Sequence, residues 1–88
     1  MTKIIVADDH DLVRMGIVRM LSDVPGFTVV GEAKTGEEAV RLAREFKPEV
    51  VLMDVKMPGI GGLEATRKIL AYNSNIKIIA VTSLADEM

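Results

Sequence analysis

The stretch VVLMDVKMPG, residues 50–59, decides the fold. Val50 to Met53 are apolar, the run stops on one carboxylate at Asp54, and Pro58-Gly59 then breaks the chain. A short apolar run bounded by a turn reads as a buried strand. Working outward, the same signal recurs. KIIVADD (3–9) is a β-branched run ending on Asp8 and Asp9, FTVVGEA (27–33) is a second strand, and IKIIAVTS (76–83) is a fourth that ends on Thr82 and Ser83.

Helical patterns fill the gaps. DLVRMGIVRMLSD (11–23) puts Val13, Ile17, Met20 and Leu21 on one face, with Arg14 and Arg19 off it. TGEEAVRLAREF (35–46) opens with Thr35 and Glu38 in capping-box spacing, carries Ala39, Val40, Ala43 and Phe46 on its apolar side, and stops before Pro48. LEATRKILAY (63–72) is expected to turn Leu63, Ile69 and Leu70 inward. Four strands thus alternate with three helices. The strands are apolar without strict alternation, as befits a parallel sheet covered on both faces, and the fold class is open α/β.

Composition narrows the function. The 88 residues are 49% hydrophobic and 27% charged, which is globular, and aromatics are only 3%, so Val, Ile, Leu, Met and Ala must build the core. A net charge of −2 argues against a nucleic-acid surface in this segment. With no cysteine, disulfides and thiolate metal sites are excluded. The N-terminal MTKIIVADDH meets acids after too few apolar residues for a signal peptide or membrane span. A cytoplasmic protein with no membrane contact is expected.

In open α/β sheets, ligands bind beyond the carboxyl ends of the strands. Those ends carry Asp8 and Asp9, Gly31 and Glu32, Asp54, and Thr82 and Ser83. If the first and third strands are neighbours, three carboxylates converge, and their repulsion calls for a hard divalent cation, Mg²⁺ or Mn²⁺. Each acid taken alone has a plainer reading, as a turn residue or helix cap. His10, the only histidine, is expected as an exposed helix-start residue, with tuning of the acidic mouth as the other option. Met57, Pro58 and Gly59 shape the loop after Asp54, and Glu37 and Glu38 form a solvated first helical turn.

The segments VADDH (6–10), VVLMDVKMPGIGGLEAT (50–66) and IIAVTS (78–83) resemble the receiver domain of two-component response regulators, which has a flavodoxin-like fold. ADDHDLVRMGI (7–17) resembles the branch whose receivers precede a LuxR-type helix-turn-helix. The resemblance implies that Asp54 is a phosphoacceptor, served by a sensor histidine kinase. It implies that Asp9 and Asp54 hold Mg²⁺ directly, Asp8 through water, and Lys56 through its backbone carbonyl. Thr82 would donate its hydroxyl to a phosphoryl oxygen. Such a protein is not an enzyme acting on an external substrate, and its DNA-binding arm would lie elsewhere. Receivers of this type continue to a fifth strand and helix, so residues 1–88 are expected to be the N-terminal part of one, about four strands and three helices. Self-association through the strand-four edge, or by segment exchange, is the corresponding expectation. Two other readings stand beside it. A metal-dependent phosphohydrolase is disfavoured because Val55 and Lys56 follow Asp54 where a D-x-D pattern is wanted. The other is a chemically disabled module that only self-associates.

Overall fold

The alternating runs become β1 (Thr2–Ala7), α1 (Asp11–Ser22), β2 (Phe27–Ala33), α2 (Gly36–Phe46), β3 (Val50–Asp54), α3 (Gly61–Tyr72) and β4 (Lys77–Val81) in a computed structural model that describes residues 1–81. The four strands form one parallel sheet in the order β2-β1-β3-β4. β1 and β3 are therefore neighbours, as the convergence of the three acids requires. Right-handed crossovers place α1 on one face and α2 and α3 on the other. Strand pleating sends Ile5 and Ala7 of β1, and Val51 and Met53 of β3, into a core shared with Ala39, Val40 and Ala43 of α2 and Ala65 and Ile69 of α3. Ile4 and Val6 are buried on the opposite face.

Local chemistry sets the helix ends. Thr35 Oγ1 accepts from the Glu38 N–H at 3.1 Å, while the Glu38 carboxylate reaches past the cap to the Lys34 N–H at 2.7 Å. The capping-box spacing therefore holds, with its return bond displaced by one residue. α2 closes at Lys47, in the left-handed region at φ 48°, whose N–H returns to the Ala43 carbonyl before Pro48 stops the helix. α3 starts hard against β3. A Cβ on Gly62 would run into the Asp54 carbonyl and meet the Val55 Cα at 2.8 Å, so only glycine lets the helix begin there.

Burial departs from the helical spacing in several places. Met20 is 65% exposed and Leu63 71%, and Leu70 and Phe46 lie near the surface. Leu63 and Leu70 line an apolar groove with Ile78 and Ala80, which no described element covers. Periodicity identified the face but not what would cover it. Arg14, expected off the apolar face of α1, is 6% exposed and is the one fully buried residue of that helix. No helix among the described residues is long and apolar enough to cross a membrane.

Candidate functional site

The winding of the sheet reverses between β1 and β3, and the acids sit at the carboxyl ends of these two strands. Ala7 pairs with Met53 in the ladder, so Asp8 and Asp54 leave adjacent strands at the same level. Both are 1% exposed, whereas the Asp9 side chain is 32% exposed. A buried carboxylate is costly unless hydrogen bonds or a cation meet it. The Lys56 N–H donates to Asp54 Oδ1 at 3.1 Å, and the His10 N–H donates to Asp8 Oδ1 at 2.8 Å. Asp8 Oδ2 is buried and has no hydrogen-bond partner among the described residues. Ligand atoms from Asp8, Asp9, His10 and Asp54 all lie within 4.8 Å of one another. This oxygen-rich set fits a hard divalent cation, and the orphaned Asp8 oxygen is a place for one.

His10 corrects its expectation as an exposed residue. It is the extended N-cap of α1, makes no side-chain cap bond, and turns its ring into the acids instead. Nδ1 lies 2.9 Å from Asp8 Oδ1, 3.3 Å from Asp9 Oδ1 and 3.7 Å from Asp54 Oδ2. The Lys56 side chain points to solvent. Val81 lies opposite Asp54 in the β3–β4 register, and Thr82 and Ser83 lie outside the described residues. Gly31 and Glu32, read as a strand end, lie within β2, which runs to Ala33.

Two supporting residues escaped the reading from sequence. Arg14 donates from a terminal guanidinium nitrogen to the Asp8 carbonyl at 3.0 Å, from Nε to Glu32 at 3.0 Å, and from its other terminal nitrogen to Asp11 at 2.8 Å. Burial disfavours the charged guanidinium, but the bonds to Asp11 and Glu32 outweigh it and raise its pKa. Arg14 and then Lys34 hold the Asp11 carboxyl below its usual range. Glu37 is exposed, as expected, and its carboxylate also accepts from the Ile60 N–H at 3.1 Å, a bond that lowers its pKa. The signal for Arg14 was its three-residue spacing from Asp11; for Glu37 there was none, since its partner is 23 residues away.

Known proteins share this arrangement. The family model for the response regulator receiver domain matches residues 4–88. The chain is 66% identical over 82 residues to response regulator GacA of Pseudomonas syringae pv. syringae (strain B728a), covering 93% of this chain and 38% of that protein. Against response regulator UvrY of Escherichia coli (strain K12) the identity is 55% over the same shares. The crystal structure of a LuxR-family two-component response regulator from Aurantimonas sp. SI85-9A1 superposes with a TM-score of 0.88 at 43% identity, covering 93% of this chain and 59% of that one. The chain thus spans 38% of the length of these curated relatives. Matched from Ile4 to its last residue, with its acids at the ends of neighbouring parallel strands, the chain belongs to the response regulator receiver domain family.

Proposed function

We propose that residues 1–88 form the N-terminal part of a phosphoacceptor receiver, and that Asp54 accepts a phosphoryl group from a phosphohistidine of a sensor histidine kinase. One observation carries the reading: a buried carboxylate at the end of a central strand, clustered with Asp8 and Asp9. In the step, an Asp54 carboxylate oxygen attacks phosphorus in line with the bond to the donor imidazole. The new P–O bond forms as the P–N bond breaks, and the imidazole leaves with the electron pair and takes a proton from water. The transfer is stoichiometric, so the protein is a phosphoacceptor rather than an enzyme.

Charge makes the supporting residues necessary. An acyl phosphate adds negative charge to a mouth that already holds Asp8 and Asp9. Asp9 and Asp54 would hold Mg²⁺ or Mn²⁺ directly, Asp8 through water, and Lys56 through its backbone carbonyl. Such an ion, when bound, neutralises charge on the group being transferred. The Lys56 N–H on Asp54 Oδ1 orients the carboxylate. Thr82 directly follows Val81, the ladder partner of Asp54, and its hydroxyl would donate to a phosphoryl oxygen once Asp54 is modified. The longer protein would work in the cytoplasm, with a DNA-binding arm regulating transcription.

The test is dependence on the cation. Incubation with a small acyl phosphate and Mg²⁺ should add one phosphoryl group per chain. EDTA should abolish the uptake, and Asp9→Asn should reduce it by about tenfold or more. Equal uptake with and without the ion would contradict the reading.

A further inference from the structure

The chain has one histidine and no cysteine, so any imidazole or thiolate ligation by its side chains has a single source. That source already lies among the acids. The His10 N–H is tied to Asp8 Oδ1 at 2.8 Å, and the backbone at this N-cap is extended, at φ −87° and ψ 109°. The ring is turned into the mouth, where Nδ1 shares a hydrogen bond with the same Asp8 Oδ1. Its Nδ1 then stands 2.9, 3.3 and 3.7 Å from oxygens of Asp8, Asp9 and Asp54.

The distances to Asp8 and Asp9 match the spacings of ligands around one ion, and the 3.7 Å distance to Asp54 is longer. With bonds of ~2.1 Å, neighbouring ligand atoms are roughly 3.0 Å apart in an octahedral shell and about 3.4 Å apart in a tetrahedral one. A second observation is independent of the ring: Asp8, 1% exposed, has its Oδ2 buried with no hydrogen-bond partner among the described residues. Donor chemistry then decides which ion is favoured. Carboxylates and water suit Mg²⁺, whereas imidazole suits Zn²⁺, Ni²⁺ and Cu²⁺.

We propose that His10 is a fourth ligand through Nδ1, and that the site takes an imidazole-preferring divalent ion of the Zn²⁺ class more tightly than Mg²⁺. The ion takes the Nδ1 lone pair, so the bound neutral imidazole carries its single proton on Nε2. The inference rests on reading the acidic mouth as a cation site, and its test separates the two.

Calorimetric titrations with Zn²⁺ and, separately, Mg²⁺ are compared for the native chain, His10→Ala and His10→Gln. Nitrogen NMR of the ring is followed in the native chain, and backbone amide spectra report folding in all three. Native Zn²⁺ binding should be about tenfold or more tighter than Mg²⁺ binding, and both variants should lose about tenfold or more of it. Mg²⁺ binding should change by less than about twofold. The Nδ1 resonance should move on adding Zn²⁺. Zn²⁺ binding unaffected by either substitution, or an Nδ1 resonance that stays put, would overturn the inference. So would tighter binding of both ions in the variants, because the ring would then merely occupy the place of the ion. Mg²⁺ binding that persists without a Zn²⁺ preference would remove only this inference; failure of the native chain to bind either ion would remove the cation-site reading as well.

Discussion

Arg14 carries its guanidinium into the wall behind Asp8, where it joins the Asp8 carbonyl to the carboxylates of Asp11 and Glu32. It holds the backbone from which two of the acids project without entering the mouth itself. Arg14→Gln should therefore destabilise the fold by about 1.5–3 kcal/mol in urea melts, the scale of hydrogen bonds to charged groups. Residues that orient a metal ligand typically matter by 10–100-fold, so Mg²⁺ affinity should fall by about tenfold or more. Loss of stability with unchanged Mg²⁺ affinity would make Arg14 purely structural. The contrast with Asp54 shows what a sequence displays at this scale. Asp54 was legible because an apolar strand stopping on a carboxylate is a local pattern. Arg14 was not, since its partner Glu32 comes from β2, and 3.6-residue spacing measures only one helix's own faces. His10 was misjudged because its ring Nδ1 pairs with Asp8 Oδ1 instead of capping the helix.

At the scale of elements, α3 and the loop after Asp54 are placed by close contact and one side-chain bond. Gly62→Ala would force a methyl group against the Asp54 carbonyl, and overpacking of that kind costs typically 1–3 kcal/mol. The expected result is a lower urea midpoint together with weaker phosphoryl uptake, since the shifted backbone carries Asp54. The Glu37 bond to Ile60 ties α2 to the same loop. Its folded pKa lies below the ordinary 4.5, so its contribution is complete above that value and disappears as pH falls through the folded one. Thermal melts from about pH 5 to about pH 3 should show a shallower loss of stability for Glu37→Gln than for the native chain. Identical slopes would contradict this role. All seven elements were visible as β-branched runs and helical periods, and the ends of the first three strands were close to their final places. The exposure of Leu63 and Leu70 was not, because burying either needs a neighbour beyond α3, and helical spacing cannot say whether one is there.

At the scale of the whole molecule, the strand order β2-β1-β3-β4 brings the acids together and leaves β4 outermost among the described residues. Ile79 of β4 is 51% exposed, and a strand that is outermost among the described residues and carries apolar side chains invites pairing. We propose that the chain self-associates: light scattering should give a mass above the monomer that falls with dilution, and Ile79→Lys should shift it toward the monomer. A monomer at every concentration would contradict this. The central claim is the chemistry of Asp54, and intact-mass measurement reaches it most directly. The native chain and Asp54→Asn are incubated side by side with Mg²⁺ and a small acyl phosphate. The account predicts one added phosphoryl group on the native chain and none on the variant. An equal adduct on both, or none on a native chain that still binds Mg²⁺, would contradict it.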